Sequence, residues 1–112
     1  MSEDLEKRKK MDEAIKKRIE NDIKNNKVML YMKGTPDQPQ CGFSARAVDI
    51  LREHNAKFHS FNILEDEAIR QGIKEYADWP TIPQLYVNGE FVGGCDILTE
   101  LHESGELNKI LA

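Results

Sequence analysis

The sequence is poor in cysteine and has no long hydrophobic run. Two of its 112 residues are cysteines, which is too few for a disulfide scaffold and indicates a reducing compartment. No apolar run approaches the roughly 20 residues of a membrane-spanning helix, and no membrane partner is expected. The N-terminus resembles neither a secretory signal nor a transit peptide, although a cleaved leader would no longer be visible. We therefore expect a reducing intracellular compartment: the cytoplasm, the mitochondrial matrix or another organelle.

An excess of positive charge is also absent. The formal net charge is −4, and residues 1–27 carry nine Lys/Arg against seven Asp/Glu, whereas the remainder carries seven against thirteen. The acidic part of the chain after residue 27 lacks the basic stripe that is typical of nucleic-acid binding, so no nucleic-acid partner is expected. Zinc ligation is disfavoured, because the chain has no CxxC pair and its three histidines show no ligand spacing to the cysteines.

The most informative segment is Cys41-Gly42-Phe43-Ser44. A dithiol redox motif would carry its second cysteine at position 44, where this chain has a serine. Because a hydroxyl cannot close a disulfide, Cys41 has no partner within its own motif and needs a thiol, a metal or a cofactor from elsewhere. A helix is predicted to begin at Cys41, and the positive end of its macrodipole favours the thiolate form.

Hydrophobic periodicity predicts alternating helices and strands. Apolar residues every four positions from Met11 to Ile23 indicate a first helix. Asn88-Gly89 between two apolar runs predicts the tight turn of a β-hairpin. Asp96 is predicted to be the N-cap of a later helix, and a short tail helix follows. The other predicted helices cover residues 41–54 and 66–77, and the predicted strands cover residues 28–32, 58–63, 84–87 and 91–92.

The element order α-β-α-β-α-β-β-α predicts an α/β fold. Two strands joined by a helix form a right-handed parallel unit, and the later hairpin adds an antiparallel pair. The expected result is a four-stranded mixed sheet flanked by helices on both faces.

Four motifs in a fixed order resemble those of the monothiol glutaredoxins of the CGFS type. They are Met32-Lys33-Gly34-Thr35-Pro36, Cys41-Gly42-Phe43-Ser44, Trp79-Pro80-Thr81-Ile82-Pro83-Gln84 and Gly93-Gly94-Cys95-Asp96. The resemblance implies a thioredoxin-like fold and divides the chain into two parts. Residues 1–22 would form a charged extension with the start of the first helix, and residues 23–112 would form the glutaredoxin domain. A member of the single-domain branch is expected.

The resemblance implies a glutathione site with a cationic part and a backbone edge. Lys33 would pair with the glycyl carboxylate of glutathione, with help from Arg70, since Arg can hold a carboxylate bidentately. The family has a cis peptide before the proline that corresponds to Pro83. The backbone of Ile82 would then pair with the cysteinyl unit, with Thr81 beside it.

The resemblance places the γ-glutamyl end of glutathione at the start of the last long helix. Gly94 has no Cβ and lets the chain approach the ligand closely. The N–H groups of Cys95 and Asp96 would meet the γ-glutamyl carboxylate, and Asp96 would also receive the ammonium group. Two interpretations of Cys95 remain: a small residue packed beside the site, or a thiol that forms a disulfide with Cys41 under oxidation.

The resemblance further implies a [2Fe-2S] cluster shared between two subunits. Such a cluster usually has four thiolate ligands, and Cys41 of each chain with two glutathione thiolates would supply them. The implied function is transfer of the cluster to apo iron-sulfur acceptor proteins. One alternative is an enzyme, a glutathione-dependent oxidoreductase of weak activity that works through a mixed disulfide on Cys41. Another is an interaction module that recruits partners through the acidic surface or the basic N-terminal helix.

Overall fold

Helices and strands alternate along the chain. The computed structural model describes the backbone of residues 2–112 and the side chains of residues 13–112. Within these residues the helices are α1 (Ser2–Asn25), α2 (Gly42–Glu53), α3 (Glu67–Ala77), α4 (Cys95–Ser104) and α5 (Leu107–Leu111). The strands are β1 (Val28–Met32), β2 (His59–Asn62), β3 (Gln84–Val87) and β4 (Glu90–Gly93), and a 3-10 turn covers Ile63–Glu65.

The four strands form one mixed sheet in the order β2-β1-β3-β4. Strand β1 pairs in parallel with β2, with Leu30 opposite Ser60. It pairs antiparallel with β3, where Leu30 lies opposite Leu85, and β3 pairs antiparallel with β4. The predicted α/β fold with a four-stranded mixed sheet is confirmed.

Strand β1 is buried on both faces and divides the hydrophobic interior into two cores. Its alternate side chains point to opposite sides of the sheet. Met29 and Tyr31 join a core with Ile19 and Ile23 of α1 and the buried isoleucines of α3. Residues Val28, Leu30 and Met32 join a core beneath α2, α4 and α5. Helices therefore cover both faces, as predicted.

The first helix follows the predicted apolar stripe. Ile19 and Ile23 are buried and Ile15 packs against the same core, whereas the side chain of Met11 lies outside the described residues. The helix begins at Ser2 and runs as one element across position 22, the predicted end of the charged extension. In the described part of the chain, no helix is both long and apolar enough to span a membrane.

Two predicted turns of the chain have different outcomes. The hairpin turn is confirmed, since Asn88 and Gly89 have φ values of 53° and 81°. The predicted N-cap of α4 is wrong: Gly94 is the N-cap and the helix begins at Cys95. Gly94 is extended, with φ −96° and ψ −163°, so helical geometry starts two residues earlier than expected. Asp96 lies in the first turn, where its negative charge still complements the helix dipole.

Candidate functional site

One cleft gathers chain segments that are far apart in sequence. It has a volume of about 400 Å³ and lies between the start of α2, the segment before β3 and the start of α4. Eight of the nine predicted site residues line it: Lys33, Cys41, Thr81, Ile82, Pro83, Gly94, Cys95 and Asp96.

Arg70 is the predicted site residue that does not line this cleft. It lies on α3, and its Nη1 atom is 3.9 Å from Oε2 of Glu67. Lys74, one helical turn further along α3, lines the cleft instead. Residues four positions apart share a helix face. The spacing between Arg70 and Lys74 therefore identifies Lys74 as a second candidate cation on the same face of α3. The role of Arg70 toward glutathione stays a prediction.

Cys41 occupies the N-cap position of α2. A hydrogen bond from the backbone N–H of Ser44 holds the pKa of the Cys41 thiol below its ordinary value. The N–H of Phe43, the charge of Lys33 and the Ser44 hydroxyl act in the same direction, and desolvation opposes them. The free N–H groups of a helix start therefore favour the thiolate, as the predicted position of Cys41 implied.

Ser44 has a structural partner of its own. Its side chain is fully buried, and its hydroxyl oxygen accepts a hydrogen bond of 3.1 Å from the backbone N–H of Lys33. This bond ties the end of β1 to the first turn of α2. The residue that replaces a second cysteine thus joins the two elements that bring Lys33 and Cys41 together.

The loop of residues 33–40 is closed by backbone hydrogen bonds. The N–H of Gln40 donates to the carbonyl of Lys33 at 2.9 Å, and the N–H of Gly34 donates to Oδ1 of Asn62 at 2.9 Å. Gly34 has a φ of +87°, and a Cβ there would lie 2.5 Å from the carbonyl oxygen of Gln38. Glycine is therefore required at this position, and the closed loop holds Lys33 beside the cleft.

The opposite wall of the cleft is the Trp79–Pro83 segment. The Ile82–Pro83 peptide is cis, as the resemblance implied, and the Ile82 side chain is buried in the core. Trp79 packs against Phe91, with ring centroids 5.7 Å apart. A Cβ on Gly94 would lie 3.2 Å from both Nε1 of Trp79 and the carbonyl oxygen of Pro83. A side chain at this position would therefore require the cleft wall to shift by a few tenths of an ångström.

Cys95 differs from Cys41 in its environment. Both thiols are free, but burial raises the pKa of the Cys95 thiol above its ordinary value. Among the side chains described, from residue 13 onward, no three or more His, Cys, Asp or Glu residues cluster as metal ligands would. Phe43, two residues after Cys41, also lines the cleft and is 63% exposed.

The cleft combines charges and backbone groups that suit a small anionic peptide. Lys33 and Lys74 contribute two cations from different elements. The start of α4, at Cys95 and Asp96, contributes unpaired N–H groups and the positive end of a helix dipole. Cys41 contributes a thiol whose lowered pKa favours the thiolate. The arrangement can bind carboxylates and carry out thiolate chemistry.

Comparison with known proteins gives consistent matches over this region. The family profile described as glutaredoxin matches residues 28–92, which lie within the domain predicted at 23–112. The probable monothiol glutaredoxin 2 of Rickettsia conorii is 56% identical over 93 residues, covering 83% of this chain and 87% of its own length. The mitochondrial glutaredoxin-related protein 5 of Danio rerio is 55% identical over 95 residues, covering 84% and 61%.

The solved structures and the longer relatives extend the comparison. The solution structure of reduced poplar apo GrxS14 is 56% identical, with a TM-score of 0.75, covering 84% of this chain and 86% of that one. Monothiol glutaredoxin-S17 of Arabidopsis thaliana is 52% identical over 101 residues, which is 90% of this chain but 21% of its own length. The chain thus spans about one fifth of some relatives that it matches.

We predict that Cys41 reacts with iodoacetamide at lower pH than Cys95. The N–H groups of α2 stabilise the thiolate of Cys41, whereas burial disfavours that of Cys95. The measurement is the alkylation rate against pH for the Cys95→Ser and Cys41→Ser variants. Lys33→Met in the Cys95→Ser background should move the midpoint upward, because it removes a positive charge. Coinciding midpoints for the two thiols would contradict the prediction.

We predict that Ser44→Ala lowers the free energy of unfolding by about 1–3 kcal/mol, the cost of a buried donor left without its partner. The unpaired group would be the backbone N–H of Lys33. Urea denaturation measures the change. Ser104→Ala is the matched control, because that exposed hydroxyl donates to a helix carbonyl, and its effect should stay within about 0.5 kcal/mol. Equal effects of the two substitutions would show that the Ser44 hydrogen bond contributes nothing specific.

Proposed function

Since this chain belongs to the glutaredoxin family and is 56% identical to a probable monothiol member of it, we propose that it binds glutathione and carries a [2Fe-2S] cluster. The cluster would be shared between two subunits and passed to apo iron-sulfur acceptor proteins. The observation that carries the proposal is Cys41, a thiol of lowered pKa at a helix start that borders an open cleft. Its motif has no second cysteine, so its thiolate stays available to an outside ligand.

Glutathione matches the groups that the cleft presents. The ligand has two carboxylates, an ammonium group and a short peptide backbone. Lys33 and Lys74 would pair with the glycyl carboxylate, and the N–H groups at the start of α4 would hold the γ-glutamyl carboxylate. The backbone of Ile82 would pair with the cysteinyl unit. The ligand's sulfur would then lie near Cys41, where it can ligate iron or exchange disulfides.

The chemistry of Cys41 suits iron-sulfur ligation across two subunits. A [2Fe-2S] cluster usually takes four thiolates, so one Cys41 and one glutathione from each of two subunits would complete the set. A cluster with four thiolates is an anion, and Lys33 would offset part of its charge. Phe43 exposes 63% of its side chain, and a second subunit seated on the cluster would cover that apolar surface.

A second function is supported by the lowered pKa of Cys41. The Cys41 thiolate would attack the glutathione sulfur of a protein–glutathione mixed disulfide, and the protein thiolate would leave. A second glutathione thiolate would then attack the mixed disulfide on Cys41. This step releases oxidised glutathione and restores the Cys41 thiolate. The route needs one protein thiol, so Ser44 does not block it.

We place this chemistry in a reducing compartment, because two thiols that border one cleft must stay reduced to act. The matched relatives include a bacterial protein and a mitochondrial one. The acceptor would be recognised by its empty cysteine ligands, which take over the iron atoms by thiolate exchange.

We predict that anaerobic reconstitution with iron and sulfide produces a coloured dimer only when glutathione is present. Cys41→Ser should abolish the colour, and Cys95→Ser should keep most of it, because only Cys41 would ligate iron. Visible absorption and mass in solution are the measurements, with an apo [2Fe-2S] protein added to detect transfer. A colourless monomer under all conditions would refute the carrier function, and rapid turnover of a glutathionylated substrate would favour the enzyme. Acceptor binding that survives Cys41→Ser would favour an interaction module.

We predict that Lys74→Ala weakens glutathione binding about fivefold, equivalent to roughly 1 kcal/mol for a partly exposed charge contact. Arg70→Ala is the matched control on the same helix, and it should change the affinity by less than about twofold because Arg70 faces Glu67. Isothermal titration with reduced glutathione measures both. If Arg70→Ala costs as much as Lys74→Ala, Arg70 takes part in binding as the resemblance implied.

A further inference from the structure

Gln84 is a fully buried polar side chain behind the cleft. Its Nε2 atom donates to the carbonyl oxygens of Trp79 at 3.1 Å and Thr81 at 3.3 Å. Its Oε1 atom accepts a hydrogen bond of 3.0 Å from the hydroxyl of Tyr86. An unpartnered buried amide would be costly, so these three hydrogen bonds hold the side chain and its partners in one arrangement.

The backbone that Gln84 holds has other support at its start, where the N–H of Trp79 donates to the carbonyl of Lys74 at 3.0 Å. Residues 78–83 connect α3 to β3 without regular secondary structure, and two of these six residues are prolines, which have no N–H to donate. The same segment forms a wall of the cleft. The side chain of Gln84 therefore holds two carbonyl groups of this wall. In a regular strand, backbone hydrogen bonds would hold them.

The orientation of the amide follows from its partners. The carbonyl oxygens of Trp79 and Thr81 can only accept hydrogen bonds, so the NH₂ group must face them. Tyr86 is buried and burial raises the pKa of its hydroxyl, so it remains a donor to Oε1. The Tyr86 ring packs against Tyr31 and Phe91, with centroids 5.8 Å and 5.4 Å away. The aromatic core thereby anchors the amide.

Holding the Thr81 carbonyl also orients the next N–H group. The Thr81–Ile82 bond is a trans peptide, in which the carbonyl and the N–H point in opposite directions. Since the carbonyl points to Gln84, the Ile82 N–H points away from it. The Ile82 side chain is buried in the core and the residue borders the cleft, so its backbone N–H is available to a ligand.

We propose that Gln84 is a positioning residue for glutathione: its amide holds the Thr81 carbonyl and thereby aims the Ile82 N–H at the cysteinyl unit. This inference rests on the proposed function, because it assumes that glutathione occupies the cleft. Gln84 does not itself border the cleft and acts through the backbone of Thr81 and Ile82.

The sharpest test is Gln84→Glu, measured by titration with S-methylglutathione, a probe without a thiol to titrate. At about pH 8 the introduced carboxylate has no donor for the two carbonyls, and we expect affinity about tenfold or more below wild type. Burial beside carbonyl oxygens favours the protonated carboxyl, which regains one donor. At about pH 5.5 the gap should therefore narrow to roughly threefold.

Comparing the affinity of Gln84→Glu with that of wild type at the same pH isolates the effect of the introduced carboxyl group. The other ionisable side chains that border the cleft are present in both proteins, so their effects on affinity cancel in the ratio: Lys33, Cys41, Lys74, Cys95 and Asp96. Tyr86 contacts the amide, Tyr31 and Tyr76 pack against the Tyr86 ring, and burial raises the pKa of all three. They stay protonated throughout, so a ratio that changes with pH reports the carboxyl group at position 84.

Two further variants separate positioning from stability. Gln84→Met removes both donors without adding charge and should weaken binding about tenfold at every pH. Tyr86→Phe removes the hydroxyl but leaves both donations to the carbonyls. It should lower the melting temperature yet change the affinity by less than about threefold. Affinity losses that track the melting temperature across all three variants would overturn the proposal.

A measurement on the wild type covers the case in which the variants do not fold. In NMR spectra the side-chain amide protons of Gln84 should exchange with water far more slowly than those of Gln71, which is exposed on α3, and the Ile82 N–H signal should shift on addition of S-methylglutathione. Rapid exchange at Gln84 or an unmoved Ile82 signal would overturn the inference. If wild type binds no S-methylglutathione at all, the proposed function fails. If Gln84→Glu and Gln84→Met bind S-methylglutathione as tightly as wild type does, only the role of Gln84 is refuted. The proposed function then still stands.

Discussion

The hydrogen bond from the Lys33 N–H to the Ser44 hydroxyl is the contact on which the site depends. It joins the residue that follows β1 to the first turn of α2, and the Ser44 side chain is fully buried. Through it, the lysine and the N-cap cysteine are held on adjacent elements. A helix N-terminus lowers the pKa of Cys41 only because the cysteine stays at the cap position, with the N–H groups of Phe43 and Ser44 directed at its sulfur.

The two walls of the cleft are stabilised in different ways. The loop of residues 33–40 closes on itself through backbone hydrogen bonds and needs a glycine at position 34. The Trp79–Pro83 wall has two prolines and depends on side chains behind it, above all on Gln84. Gly94 lets α4 approach this wall, because a Cβ there would press against Trp79. A ligand would therefore meet backbone groups that are already in place, which reduces the entropic cost of binding.

The cleft concentrates positive groups on an acidic molecule. The formal net charge is −4, yet the side chains that border the cleft include Lys33 and Lys74 beside one carboxylate, Asp96, and α4 directs its positive end there. An anionic ligand would thus be attracted to one place on an acidic protein. The cysteine of the same cleft shares this field, so the features that would bind carboxylates also favour the thiolate.

Much of the fold could be predicted because its signals are local. The continuous apolar run of β1 and the bounds of β3 follow from hydrophobic pattern, and the Asn88-Gly89 turn follows from the need for positive φ. The sequence predicts Asp96 as the N-cap of α4, because Asp is a favoured N-cap residue. The structure has Gly94 at that position instead. Side-chain preference at a cap is weak compared with the backbone conformation that the preceding hairpin imposes.

The sequence by itself determined the element order, the cysteine without a motif partner and eight of the residues that line one cleft. Tertiary structure decided which cation of α3 borders that cleft, because Arg70 and Lys74 share a helix face and only the position of α3 along its axis brings Lys74 to the cleft. It also decided that Ser44 binds the backbone of Lys33 and that Gln84 holds Trp79 and Thr81. Such hydrogen bonds depend on backbone groups meeting a buried side chain in three dimensions, and no local pattern of residues records where those groups will point.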